Sequence, residues 1–585
     1  MNVETITKNL NSLDKSQIKT AIQPNLFSIE QTSDLTVAAA LVKTLENLGV
    51  RYAFGLFGGG ITPFIASLEQ SSIEVLQFRH EAGAVFAAIE SYFASGHPVV
   101  VFSTTGPGIT NALTGLFAAR WEGAKIIFVS PCTSATQRGR WAFQETSQYT
   151  MSNTGIFTSG ALFHYAIAIE SSSELPEITR RLALGVGKLG SFVAHISIPR
   201  AIQTSLLATA LPNINLSPSL VTAGEDTISK SLQLLCEGPF AIWVGFGARD
   251  AALEIRQLAE RTGAAVMSSP RGKGIFPEDH PQFVGVTGFG GQSSVLKYMQ
   301  EQRPLRVLVL GTKLGEFTSF WNPIMVPARG FVHVDIDPEV PGAAYPYAET
   351  FAVQSDIGAF VKNILKYFPE ISHFSPILPI SRPEPQVIKP QEGLVRPEFL
   401  MYAIQKVIVE NSDAIVMTEA GNSFAWGTNR LRFAAPGRYR VSTGFGSMGH
   451  AGTGILGAAL AGNRKAVAIL GDGAMLMNSE ISTAVKHKIP AVWIVLNDGR
   501  YNMCDQGMNM EGFHGVDAEI PSSDFVMIAR GMGADGIRVN KESDVEVALE
   551  KALALSIPFV LDVIIDPTRP APIGSRIDSL ILRGK

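Results

Sequence analysis

The chain has 585 residues, of which 46% are apolar and only 17% charged, with 55 glycines and a net charge of −4. At about 150 residues per domain this length implies two to four domains, and the low charge implies much buried surface, part of it in subunit contacts. With no Lys/Arg-rich block, no apolar run near the ~18 residues of a membrane span, and three scattered cysteines without metal spacing (Cys132, Cys236, Cys504), nucleic acid, membrane and cysteine-metal functions are set aside and a reduced, cytoplasmic setting is expected.

Residues 1–33 are polar, lack a signal-peptide core, and read as an extension. Asp34 is placed to cap a helix whose apolar face is Val37, Leu41, Leu45 and Leu48, with Gly49 as its stop. Strands are then expected at Tyr52–Leu56, Pro98–Ser103 and Lys125–Ser130, with helices Val85–Tyr92 and Asn111–Arg120 between them. The alternation returns with strands Phe240–Gly245, Ala264–Ser268, Arg306–Leu310 and Gly330–Ile336, and again with Ala414–Thr418, Lys465–Leu470, Ala491–Asn497 and Pro558–Ile565. Between the second and third blocks, Phe368–Pro397 holds seven prolines in thirty residues, so it reads as a surface linker. A weaker boundary falls near Leu206–Glu225. The chain is thus divided into an extension (1–33), α/β domains at 34–205 and 206–367, the linker (368–397) and a third α/β domain (398–585). Apolar strands separated by helices make the expected fold class α/β, three doubly wound parallel-sheet domains.

The stretch richest in chemistry is Lys465–Met503, which reads strand, Gly471-Asp472-Gly473-Ala474 turn, helix, strand, then Asn497-Asp498-Gly499. In a parallel βαβ unit both strands end on one edge of the sheet, where open α/β sheets bind ligands. Asp472 and Asp498, 26 residues apart, therefore meet at that edge. Two carboxylates and a nearby main-chain carbonyl suit Mg²⁺ carrying a diphosphate, because hard cations take oxygen ligands. A helix starting near Asn478 would add its positive end. Either turn alone is common; the pair, joined by strand–helix–strand, is specific.

On these residues the chain resembles the thiamine diphosphate-dependent enzyme family, in its acetolactate-synthase-like branch. Further matching segments are FGLFGGG (54–60), RHEAGAVFAAIESYFA (79–94), STTGPGITNALTG (103–115), AFQE (142–145), RGKGIFPEDHP (271–281), VHVDIDP (332–338) and GFGSMGHAGTGILGAA (444–459). The resemblance covers residues 34 to 570 and implies a pyrimidine-binding, a central and a diphosphate-binding domain in that order. It implies that Glu81 hydrogen-bonds N1′ of the aminopyrimidine, sharing a proton with it from an apolar setting. Met448 would be the wedge that bends the cofactor, and the Gly446 carbonyl would accept from its 4′-amino group. Gly421, Asn422 and Ser423 would form the diphosphate-contact loop, with Asn and Ser donating to phosphate oxygens. Asp472, Asp498 and the backbone carbonyl of Arg500 would hold the Mg²⁺. Asp498 stands where the family places asparagine, and Asn497 is the alternative ligand if the register slips by one residue.

The same resemblance implies a carboligase that decarboxylates a 2-oxo acid and adds the acyl-anion equivalent to a second 2-oxo acid or carbonyl, giving an acyloin or 2-hydroxy-3-oxo acid. Alternatives are a true acetolactate synthase, a 2-oxo acid decarboxylase, or a catalytically silent regulatory subunit, against which the retained Glu81 argues. Gln144 and His450 are further catalytic candidates, one near the reacting carbonyl, the other as acid or base; each is equally readable as structural. Cys504–Glu519, with His514, reads as a mobile loop over the site. Gly507 stands where acetolactate synthases carry a channel-lining tryptophan, which implies bulky or aromatic 2-oxo acids, as in specialised-metabolism enzymes such as those on the scytonemin route. The flavin-binding stretch of the family reads GTKLGE here (311–316), which argues against FAD. Sites between two subunits imply a homodimer or homotetramer.

Overall fold

The computed structural model describes residues 35–147, 150–151, 155–214, 220–367 and 387–583. The polar extension, Asp34 and most of the proline-rich linker lie outside the described residues. Each of the three domains is built on a six-stranded sheet whose paired strands are all parallel. The first sheet comprises β1 (Tyr52–Gly55), β2 (Glu74–Gln77), β3 (Val99–Phe102), β4 (Lys125–Ser130), β5 (Tyr165–Ala168) and β6 (Phe192–Ser197), in the order β2-β1-β3-β4-β6-β5. The second comprises β7 (Phe240–Val244), β8 (Ala265–Ser268), β9 (Phe283–Val286), β10 (Arg306–Leu310), β11 (Phe331–Asp335) and β12 (Thr350–Gln354), in the order β12-β11-β10-β7-β8-β9. The third comprises β13 (Ile415–Thr418), β14 (Tyr439–Val441), β15 (Ala466–Gly471), β16 (Ala491–Asn497), β17 (Asp535–Val539) and β18 (Phe559–Ile564), in the order β14-β13-β15-β16-β18-β17.

Central strands such as β16, AVWIVLN, are buried at every position because helices cover both faces. The first helix runs Val37–Asn47, and its cap is Thr36, whose hydroxyl accepts from the Ala39 amide at 3.3 Å. The linker gives way one residue before Pro397, which opens the helix Pro397–Ile404 with the ring at its first position.

The first and third domains meet along helices Glu81–Ser95 and His450–Gly462. Small residues permit the contact: a Cβ at Gly457 would stand 1.8 Å from the Ala87 carbonyl oxygen. Among the described residues no helix is long and apolar enough to cross a membrane.

Candidate active site

β15 and β16 are adjacent and parallel, so the turns that follow them share one edge. Asp472 is buried and belongs to both turns. Its Oδ1 accepts from the Gly473 amide and its Oδ2 from the Gly499 amide, each at 2.7 Å. Asp498 Oδ2 accepts from Asn502 Nδ2 at 2.6 Å. Burial raises both carboxyls, and the neighbouring Asp472 charge helps push Asp498 up to about 6. A site that destabilises two carboxylates in this way is prepared for a cation. Asn497 faces elsewhere: its Nδ2 donates to Asp562 Oδ1 at 2.8 Å, across to β18. Arg500 pairs through its side chain with Asp505 at 3.2 Å.

The helix expected from Asn478 is displaced. Asp472 itself opens the one-turn helix Asp472–Met475, and the next helix is Ile481–Lys486. Glu480, at its start, accepts from the backbone amides of Arg79 (3.0 Å) and His80 (2.9 Å), so this helix end is directed at the first domain rather than at the carboxylate pair.

Gly421, at φ +119°, leads from β13 into the helix Asn422–Arg430. Ser423 donates its hydroxyl to the Glu419 carbonyl at 2.9 Å, which leaves its oxygen as an acceptor. Of the buried side-chain polar atoms without a hydrogen-bond partner among the described residues, which occur in all three domains, Asn422 Oδ1, Ser447 Oγ and Asn502 Oδ1 fall near this edge. Ser447 lies on the loop after β14, and Asn422 and Asn502 open the helices that follow β13 and β16. An unsatisfied buried polar atom costs about 1–3 kcal/mol; the two amide oxygens can only accept, which suits a cation, while the Ser447 hydroxyl can donate to a phosphate oxygen. The residues present therefore fit a metal-carried diphosphate. Glu419, which the sequence did not single out, orders the neighbourhood: its carboxylate accepts from the Ala451 and Gly452 amides at 3.0 and 3.1 Å.

Glu81 is the first residue of the helix Glu81–Ser95 and is 5% exposed. His80 caps that helix, its Nδ1 accepting from the Ala82 amide at 3.1 Å. Glu81 Oε2 accepts from Asn111 Nδ2 at 3.1 Å, and a Cβ at Gly108 would stand 3.3 Å from Oε1. Gln144 takes φ +53° and accepts at Oε1 from the Thr105 hydroxyl at 3.1 Å. Beside it Trp141 and Phe143 are 95% and 91% exposed. Met448 packs at the margin of the core shared by the first and third domains, and Gly446 is exposed at φ +67°. His450 is 2% exposed, with Nε2 3.0 Å from Glu90 Oε1 and its ring stacked on Phe86 at 4.9 Å. It is engaged in a buried polar cluster with Glu90 and Arg440.

Two expectations around the site change. Much of Cys504–Glu519 is helical, within Asn502–Glu511, and His514 lies beyond the helix with Nδ1 3.0 Å from Asn509 Oδ1. Gly507 is buried in that helix, and a Cβ there would meet Ile577 Cδ1 at 3.2 Å. Ile577 belongs to the helix Gly574–Arg583, so an aliphatic side chain bounds the space next to Gly507.

In the central sheet the strand order reverses between β10 and β7. The loops there close on each other: the Gly247 amide donates to the Gly311 carbonyl at 3.0 Å, and a Cβ at Gly311 would stand 2.7 Å from Gly247 C. With two loops in direct backbone contact at that crevice and the GTKLGE stretch beside it, the protein purified without added flavin is expected to be colourless; a stoichiometric flavin absorbance band would overturn this reading.

Family models match three stretches: "Thiamine pyrophosphate enzyme, N-terminal TPP binding domain" over residues 35–151, the "central domain" over 239–364 and the "C-terminal TPP binding domain" over 419–563. The chain is similar to a probable acetolactate synthase large subunit of Methanocaldococcus jannaschii, with 27% identity covering 93% of this chain and 95% of the relative. Similarity also extends to a sulfoacetaldehyde acetyltransferase of Castellaniella defragrans (27% identity, 90% and 92% covered). A third relative is the acetolactate synthase isozyme 1 large subunit of Escherichia coli (27% identity, 91% and 94% covered).

Proposed function

Because the chain belongs to the thiamine pyrophosphate (thiamine diphosphate) enzyme family, in its acetolactate-synthase-like branch, we propose that it decarboxylates a 2-oxo acid and transfers the acyl unit to a second 2-oxo acid or carbonyl. The product would be an acyloin or a 2-hydroxy-3-oxo acid. The observation that supports this reading is that one chain carries both a buried helix-start carboxyl, Glu81, in its first domain and the buried Asp472–Asp498 edge in its third. When bound, thiamine diphosphate supplies the electron sink for carbon–carbon cleavage and formation. Glu81 would hold and release a proton at N1′ of the aminopyrimidine. Met448 and the Gly446 carbonyl would set the relation of the two cofactor rings. Asp472, Asp498 and the Arg500 carbonyl would bind Mg²⁺, while Asn422 and Ser447 would meet the diphosphate. With Asn497 committed to Asp562, Asp498 is the better ligand of the two.

The case for substrates larger than pyruvate rests on the missing indole at Gly507 alone, because Ile577 Cδ1 already stands 3.2 Å from where a Cβ would lie. Trp141 and Phe143, exposed beside Gln144, favour a homodimer or homotetramer in which a second copy covers them. Three free cysteines, and no membrane-crossing helix among the described residues, suit a cytoplasmic enzyme.

Incubation with thiamine diphosphate, Mg²⁺ and a panel of pyruvate, phenylpyruvate and indolepyruvate, followed by product mass analysis, tests the reading. Coupled products are expected, with a higher kcat/KM for the aryl acids. Preference for pyruvate alone would remove the size argument, and aldehyde without coupled product would make the protein a decarboxylase.

A further inference from the structure

The loop Ser442–Gly449 carries Gly446 and Met448 from the edge strand β14 into the helix His450–Gly462. Both of its ends rest on carboxylates of the first domain. At the leading end, Glu122 Oε1 accepts from the Ser442 hydroxyl at 2.8 Å and from the Gly444 amide at 3.1 Å. Its other oxygen pairs with Arg271 of the central domain at 2.9 Å. Glu90 spans both ends: it accepts from Arg440 Nε at 2.8 Å and Nη2 at 3.1 Å, just before the loop. It also lies 3.0 Å from His450 Nε2, just after the loop. Between the anchors, Phe445 stacks on Phe117 with centroids 5.8 Å apart.

Both carboxylates are buried, at 4% and 5% exposure. Burial by itself would raise Glu90, but Arg440 and the His450 hydrogen bond outweigh it and hold the carboxyl down at about 2. Glu122 is lowered in the same way: burial opposes ionisation, and Arg271 prevails. The guanidinium groups of Arg271 and Arg440 stack on Phe246 of the central domain at 4.3 and 4.4 Å, so all three domains meet at these anchors. Buried ion pairs seldom add net stability over an apolar seam, whereas their directional bonds fix geometry. A loop pinned at both ends, with exposed glycines between, is what such a device would serve.

We infer that Glu90 and Glu122 are positioning residues: together they seat both ends of the Ser442–Gly449 loop on the first domain and so fix where Met448 and the Gly446 carbonyl are presented. The inference rests on the assignment of those two groups to the cofactor under the proposed function. It also gives His450 a role other than acid or base, as the rear fastening of the loop.

The test uses the full chain and the variants Glu122→Ala, Ser442→Ala, His450→Leu and His450→Gln. Amide hydrogen exchange across residues 443–449, measured without cofactor, reports the loop directly. Near-UV circular dichroism on adding thiamine diphosphate and Mg²⁺ reports cofactor geometry, and steady-state kinetics on the best 2-oxo acid separates kcat from KM. Exchange is expected to accelerate about tenfold in Glu122→Ala and His450→Leu, with kcat down about tenfold to a hundredfold and KM changed less than about twofold. His450→Gln, which retains a donor for Glu90, should recover both readouts. If Glu122→Ala fails to fold, Ser442→Ala keeps the Arg271 pair and still removes a loop bond. Folded variants with parental exchange and kcat overturn the inference, as does faster exchange with unmoved kcat and dichroism. Met448→Ala separates the two readings: an unaltered kcat there removes the cofactor assignment, and the inference with it, while the exchange result stands by itself.

Discussion

Replacing Glu81 by Gln is expected to lower CO₂ release from 2-oxo acids by about 10²–10⁴-fold, the range typical of a lost general acid–base group, while the fold and thiamine diphosphate binding survive. The substitution preserves shape and leaves an amide oxygen to accept from Asn111, which now donates to Glu81 Oε2 at 3.1 Å. What it removes is the capacity to hold and return a proton. His80 still caps the helix, and Glu480 still accepts from the Arg79 and His80 amides, so the turn that presents position 81 has no reason to move. Steady-state CO₂ release and a cofactor-binding titration on the same preparation check both halves. Parental turnover in Glu81→Gln would refute the role of this carboxyl.

How much of this was readable beforehand follows from where each residue lies in a sheet. All eleven strands expected from sequence exist within a residue or two of their expected ends, because central parallel strands are covered on both faces and appear as unbroken apolar runs. The strands that escaped detection are β2, β5, β9, β12, β14, β17 and β6. The first six are the edges of the three sheets, where one side is open and the apolar run is short or broken, as in the exposed–intermediate–buried–intermediate pattern of Glu74–Gln77. β6 is interior, but its run is interrupted by His195, which is buried against Ser130 and the Ile156 carbonyl.

Local spacing predicted that Asp472 and Asp498 share one sheet edge, and they do, since both turns follow neighbouring strands. It could not foresee that the Asn497 side chain is engaged by Asp562, 65 residues further along and on a different strand. Nor could it find Glu90, Glu122 or Glu419, each of which bonds groups 32 to 360 residues away in sequence. Each is an acid inside an otherwise apolar or small-residue stretch, and that mismatch is the one signal that could have marked them.

Asp472→Ala is expected to reduce Mg²⁺-dependent binding of thiamine diphosphate by at least about 10²-fold, more than the 10–100-fold usual for a group that merely supports a metal ligand. Asp472 is the hub of the edge: one oxygen receives the Gly473 amide, the other the Gly499 amide, so its removal also strands two backbone donors. Asp498→Asn should be milder, keeping an oxygen ligand but losing a charge. Because Glu81 and Asp472 belong to different domains, mixing the two inactive chains tests whether a site is shared between copies. In a dimer with sites built across the interface, a Glu81→Gln chain paired with an Asp472→Ala chain forms one site carrying both lesions and one carrying neither. Random pairing then restores about a quarter of parental activity on co-refolding or co-expression, since half the dimers are mixed and half their sites are intact. Sites confined to single chains would restore none. A null result with mixed dimers demonstrated by mass would therefore overturn the shared-site reading and leave the separate roles of Glu81 and Asp472 untouched.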